Sequence, residues 1–311
     1  TRLIMVSAAA AMVVNIGVNY VLIFGKFGAP ALGITGAACG TIVGAVAGFL
    51  VVLAAYLHKS NRIPFGVRAA TRFDAATVRK LLRYGSPAGV EFLLNISAFN
   101  LAVMAFHSYG VHVAAAVTVA LNWDMVSFVP LIGLHIGVTS LVGRYMGAAD
   151  PDNAHRATMS GLKLAFTYSI TLMVVFIVLP RPLVGIFQPD LDHAGAAAFA
   201  AFIPLSIFMV RLASVYLCAD AIAIIFSGAL RGAGDTFMTM ILSVSTHWLM
   251  AAVVLTLIRV VEVEPRVAWM ATVCMVWVIA GSFAGRYLSG RWRRLRVVDA
   301  PPDLTGPHDV A

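Results

Sequence analysis

Asp220-Ala-Ile-Ala-Ile-Ile-Phe-Ser-Gly-Ala-Leu-Arg-Gly-Ala-Gly-Asp-Thr236 sets an acid inside a long apolar run, closes that run on a Gly-rich, charged elbow, and opens a second apolar run beyond it. An ionised carboxylate in hydrocarbon is costly, so Asp220 has to be neutral, paired or turned toward a polar cavity. The elbow marks a membrane surface. Together they predict a helix that crosses a bilayer and carries a candidate coupling acid.

The rest of the chain agrees. Of its 311 residues 60% are hydrophobic and only 12% charged, where a soluble domain carries about a quarter charged residues. With crossings of about 20 apolar residues, eight spans are predicted: 3–24, 33–57, 86–106, 113–141, 161–179, 203–227, 238–257 and 267–283. The runs are too long for barrel strands of about 10 residues and lack their two-residue alternation. The expected fold is all-α, a polytopic membrane helical bundle of eight transmembrane helices, with the lipid bilayer as its surroundings.

A formal net charge of +8 raises the question of nucleic acid, but the charges fall between the apolar runs. With the first residue on the cytoplasmic side, 17 of the 22 Lys and Arg lie inside, the bias of inner-membrane loops. Both ends of the chain are therefore expected in the cytoplasm, and no nucleic-acid partner is expected. The connection 59–85 is the boundary between two lobes. Its stretch 73–84 places Phe73, Val78, Leu81 and Leu82 opposite Arg79, Lys80 and Arg83, as a short interfacial helix would. Residues 1–58 precede it, a six-span unit 86–290 follows, and 291–311 form a basic, then disordered tail.

Polar groups inside the spans carry the chemistry. By helix rise Glu91 stands on the order of 8 Å and Asp220 on the order of 11 Å above the cytoplasmic surface. Two carboxylates in one layer, as neighbours, raise each other's proton affinity and suit exchange of a proton or cation. Asn95, one turn from Glu91, shares its face. Asn122, Trp123 and Asp124 offer an amide, an aromatic face and an acceptor, the groups that bind an organic cation. The histidines and the three cysteines lack metal-ligand spacing, so no metal or organic cofactor is expected. No phosphate-binding loop is present to drive transport by nucleotide hydrolysis.

Four stretches then converge: Asn19-Tyr-Val-Leu-Ile-Phe-Gly-Lys-Phe-Gly-Ala-Pro-Ala-Leu-Gly-Ile-Thr-Gly-Ala-Ala38, Pro87-Ala-Gly-Val-Glu91, Thr139-Ser-Leu-Val-Gly-Arg-Tyr-Met-Gly-Ala-Ala-Asp-Pro151 and Ser227-Gly-Ala-Leu-Arg-Gly-Ala-Gly-Asp-Thr236. In this order the chain resembles the multidrug and toxic compound extrusion (MATE) family of secondary transporters. The resemblance implies a MATE-like bundle of twelve helices in two lobes around an alternating cleft, with this chain matching the last eight and so N-terminally incomplete. It implies Glu91 and Asp220 as the Na⁺ or H⁺ coupling acids, and Arg231, Gly232, Gly234 and Asp235, paired with Gly143, Arg144 and Gly147, as structural elbows. It also implies a non-enzymatic, monomeric antiporter that expels small organic, often cationic compounds. The alternatives are a flippase for lipid-linked precursors, which needs a cationic cleft, and a non-transporting fragment or scaffold.

Overall fold

The computed structural model describes residues 2–58, 73–188 and 193–295, so the expected tail beyond 295 and most of the 59–85 connection lie outside it. Among the described residues there are nine α-helices: α1 (Arg2–Phe24), α2 (Ile34–Leu57), α3 (Ala75–His107), α4 (Val111–Gly147), α5 (Pro151–Val178), α6 (Pro180–Gly185), α7 (His193–Gly232), α8 (Thr236–Arg259) and α9 (Pro265–Leu288). All but α6 contain a segment long and apolar enough to cross a membrane. The eight expected spans are all found, as an all-helical bundle. The chain divides into two compact units, Thr1–Arg79 and Lys80–Ala311.

In the first unit, α1 ends where Gly25 takes φ 65°, and α2 returns against it. The buried residues of α2 are Gly36, Gly40, Gly44 and Gly48. A four-residue spacing puts all of them on one ridge, and the absent side chains let α1 approach α2 backbone to backbone. A Cβ on Gly36 would meet the Leu22 carbonyl at 2.7 Å. The Ser7 hydroxyl donates to the Gly48 carbonyl at 2.8 Å across the same seam.

In the second unit α7 is the axis, packed against α4, α5 and α9, while α8 packs on α9. Gly228 and Gly232 bring α7 onto His135, Thr139 and Val142 of α4, and the Thr139 hydroxyl donates to the Gly228 carbonyl at 3.0 Å. Below this crossing, a 3₁₀ turn at Arg291–Arg294 tucks Trp292, 1% exposed, onto Tyr287 at 5.1 Å between ring centroids. Tyr287 stacks in turn on Phe226 of α7, and its hydroxyl meets His155 Nδ1 of α5 at 2.9 Å. Three helix ends are thereby tied together.

Several helices outrun the apolar stretches. α4 continues to Gly147, and α5 begins at Pro151, ten residues before the expected start. There the Asp150 carboxylate accepts from the Asn153 N–H at 3.1 Å, and Pro151 opens the helix, both common helix-start devices. The amphipathic stretch expected as a separate interfacial helix belongs to α3. Asp74 starts it, accepting from the Ala76 N–H at 3.0 Å and the Thr77 hydroxyl at 2.6 Å, and the helix runs on through Pro87. Proline forfeits one backbone hydrogen bond there, but its fixed φ is helical, so it need not end the helix.

Candidate functional site

A cavity of about 620 Å³ opens within the second unit. α3 forms one wall and meets its neighbours through side chains, Asn95 with Ser243 of α8 and Glu91 with Arg231 of α7. The periodicity of each helix decides what faces the space. On α7 the lining positions are Tyr216, Asp220, Ala223, Ile224, Ser227 and Arg231, which recur every three or four residues, with Ala223 and Ile224 side by side, on one face. The same rule brings Glu91 and Asn95 in from α3, Asp124 and His135 from α4, and Ser243 and His247 from α8. Apolar and aromatic side chains fill most of the remaining wall, among them Phe92, Phe99, Phe128 and Trp269.

Its polar groups sort into two levels. At the elbow end Arg231 Nη2 donates to Glu91 Oε1 at 2.5 Å, an ion pair in which the Glu91 side chain is 4% exposed. Next to it Asn95 Nδ2 donates to Ser243 Oγ at 2.8 Å, while Asn95 Oδ1 is buried with no hydrogen-bond partner. His135 Nδ1 donates to the Ile224 carbonyl at 2.8 Å, and His247 Nδ1 to the Ser243 carbonyl at 2.7 Å. The deeper level lies eleven residues back along α7, roughly 16 Å by helix rise. There the Tyr216 hydroxyl donates to Asp124 Oδ1 at 2.8 Å, and Asp220, one turn from Tyr216 on α7, lines the same cavity. Among the described residues, neither aspartate has a Lys, Arg or His within ion-pair distance.

The expected residues are therefore partly gathered and partly parted. Glu91, Asn95, Asp124 and Asp220 line one cavity; within it Glu91 pairs with Arg231, and Asp220 stands one turn from Tyr216, the residue that holds Asp124. The helix rise put both acids in one layer but said nothing of which side chains cross the gap, and Arg231 reaches Glu91 first. Asn122 and Trp123 do not accompany Asp124. Asn122 is exposed and its amide donates to the Thr118 carbonyl of its own helix. Trp123 Nε1 donates to the Leu183 carbonyl at 3.1 Å, with its ring against Phe176 and Phe187. Consecutive helical residues point about 100° apart, so three in a row cannot all face one cavity.

Arg231 was expected only as an elbow residue, and Tyr216 and His135 were not singled out. Periodicity held the missing signal: Tyr216 is four residues from Asp220, and an eleven-residue step, close to three full turns, carries Asp220 to Arg231 and Asp124 to His135. The elbow glycines sit where the helices end or cross. A Cβ on Gly143 would stand 3.4 Å from the Gly232 carbonyl oxygen, the Arg144 and Tyr145 carbonyls accept from Ala148 N–H beyond Gly147, and Gly234 takes φ 89°. Asp235 is bound by Arg286 Nε at 2.8 Å. No group of three or more His, Cys, Asp or Glu suited to a metal occurs among the described residues.

The MatE family model matches residues 87–257, more than half of the chain and most of the cavity wall. The chain is 27% identical over 250 residues to the multidrug resistance protein MdtK of Edwardsiella ictaluri, covering 79% of this chain and 52% of that protein. It is 26% identical over 303 residues to the probable multidrug resistance protein NorM of Thermotoga maritima, 96% of this chain and 62% of that one. It thus spans between half and two thirds of the length of these relatives. In fold it superposes on the crystal structure of MATE in complex with MaL6 with a TM-score of 0.75, at 19% identity, over 92% of this chain and 63% of that one. With eight spanning helices in this arrangement and that match across the cavity-bearing unit, the chain is a multi-pass membrane protein that belongs to the MatE family.

Proposed function

We propose that the protein is an ion-coupled secondary exporter that moves small organic, often cationic compounds against Na⁺ or H⁺, without a catalytic step of its own. The observation that carries this reading is the second-unit cavity, apolar and aromatic over most of its wall, with Asp124 and Asp220 facing it without a basic partner. Aromatic faces and carboxylates attract an organic cation, and the same carboxylates take a proton or Na⁺. The two ligands then exclude each other electrostatically, as antiport needs: each must favour a different access state. In this reading α1 and α2 are the last two helices of a first lobe, α3 to α9 form the second, the elbows at 147–150 and 232–235 lie on the cytoplasmic side with both chain ends, and the protein works as a monomer.

The flippase alternative needs free positive charge for a pyrophosphate. Among the described residues Arg231 is the only Lys or Arg lining this cavity, and it is bound to Glu91, so the export reading is preferred. Proteoliposomes loaded with an ethidium-like dye test it. Dye flux should follow an imposed Na⁺ or proton gradient and collapse by at least tenfold in Asp220→Asn, with a smaller loss in Asp124→Asn. Gradient-driven flux that is unchanged in both variants would remove the two aspartates from the mechanism.

A further inference from the structure

Glu91 is 3% exposed and its partner comes from the last turn of α7, one residue before the Gly232 elbow. A carboxylate buried to that degree cannot stay ionised without a counter-charge. Here the charge is a guanidinium, which stays charged where an imidazole would switch. Among the described residues the buried Arg231 Nε has no acceptor. The Arg231 side chain is 30% exposed and lines the cavity, against 4% for the Glu91 side chain, so the guanidinium is the open member of the pair. Asp124 and Asp220, in the same cavity, have no such internal cation.

From this geometry we infer that Arg231 is a tethered counter-cation that fills the place of the coupling ion at Glu91, so that in this conformation the ion is taken at the Asp124–Asp220 level and reaches Glu91 only once Arg231 has swung away. The inference deepens the reading of the protein as an ion-coupled exporter and rests on it. It makes Arg231 a positioning residue that decides which acid is open to the ion. Because Arg231 adjoins the α7–α8 elbow while Glu91 lies on α3, exchange of guanidinium for ion is linked to how the elbow end of α7 meets α3. The other titratable groups facing this pair are His135 from α4 and His247 from α8, with Asp220, Tyr216 and Asp124 at the deeper level.

The test is ion uptake by the purified protein in nanodiscs, with no substrate and no gradient, so that its result is independent of whether dye is transported. Tight ²²Na⁺ binding is counted at fixed pH, and proton uptake is counted in Na⁺-free choline medium. Arg231→Gln should gain one cation equivalent per protein, Na⁺ or proton, bound at least tenfold more tightly than any at Glu91 in the wild type. The gain should vanish in Arg231→Gln/Glu91→Gln and be absent from Arg231→Lys. Glu91→Gln alone should retain the tight uptake of the wild type, and this variant decides the matter if Arg231→Gln does not fold. A Glu91→Gln protein that loses one tight equivalent, or a folded Arg231→Gln protein that gains none, overturns the inference. Dye transport without this pattern leaves the exporter reading standing and removes only the role given to Arg231.

Discussion

The second unit contains the same elbow twice. Gly147-Ala-Ala-Asp150 joins α4 to α5 and Gly232-Ala-Gly-Asp235 joins α7 to α8, and their backbones share the bonds that close the turn. Asp150 N–H donates to the Tyr145 carbonyl at 2.9 Å and Asp235 N–H to the Leu230 carbonyl at 2.9 Å. Ala149 and Gly234 donate three residues back at 3.1 and 3.0 Å, and both take positive φ, 56° and 89°. This is the left-handed helix termination that satisfies the last carbonyls. The side chains then part company. Asp150 caps its own helix; Asp235 leaves α8 without a side-chain cap and turns to Arg286 of α9. The first elbow is a local device. The second is a junction, since Gly232 also admits the Thr139 carbonyl and Arg231 crosses to Glu91. A shared motif thus specifies the turn, while the surrounding helices decide what the turn holds together.

Paired substitutions break or sharpen this contrast, read as melting temperature in detergent. Asp235→Ala has the largest expected effect, a loss of about 3 kcal/mol, because it strands a largely buried Arg286; equal losses at Asp150 and Asp235 would erase the distinction. Gly232→Ala should cost about 2 kcal/mol, since its Cβ would stand 2.5 Å from the Thr139 carbonyl oxygen. Gly147→Ala, with nothing within 4 Å, should be neutral or stabilise by a few tenths of a kcal/mol. Exchanging the left-handed residues should give opposite signs of about 1 kcal/mol each: Ala149→Gly stabilises by relieving a positive φ, and Gly234→Ala destabilises by imposing one.

Asp150→Ala should have a small effect, and pH identifies it. The Asn153 N–H, and then its side-chain amide, hold the Asp150 carboxyl below the usual carboxylate range. Its contribution is therefore complete above that range and is lost as pH falls through the lowered folded value. Wild type and Asp150→Ala should differ near neutrality and converge in acid.

The eight spans were legible because an apolar run of about 20 residues has few other uses. Glu91 and Asp220 were legible for the complementary reason, that an acid in such a run needs a purpose. The partners were not. Pairing of Arg231 with Glu91 depends on which long side chain crosses a gap between helices 140 positions apart in sequence, and no local pattern encodes that distance. Placing Trp123 beside Asp124 followed sequence adjacency where the 100° helical step should have ruled. The joining of the amphipathic stretch to the third span in one helix was not legible, because the change from a two-sided to a uniformly apolar pattern reads as two elements.

The glycine ridge of α2 has a consequence for the order of events in biogenesis. A surface without side chains has no rotamers to freeze, so closing it costs little beyond aligning two backbones. Its partner is the immediately preceding helix, across residues 25–33, so the ring to be closed is short. α1 and α2 accordingly assemble as a hairpin soon after both have entered the bilayer. Closing this pair requires nothing from the cavity-bearing unit, which follows it in the chain.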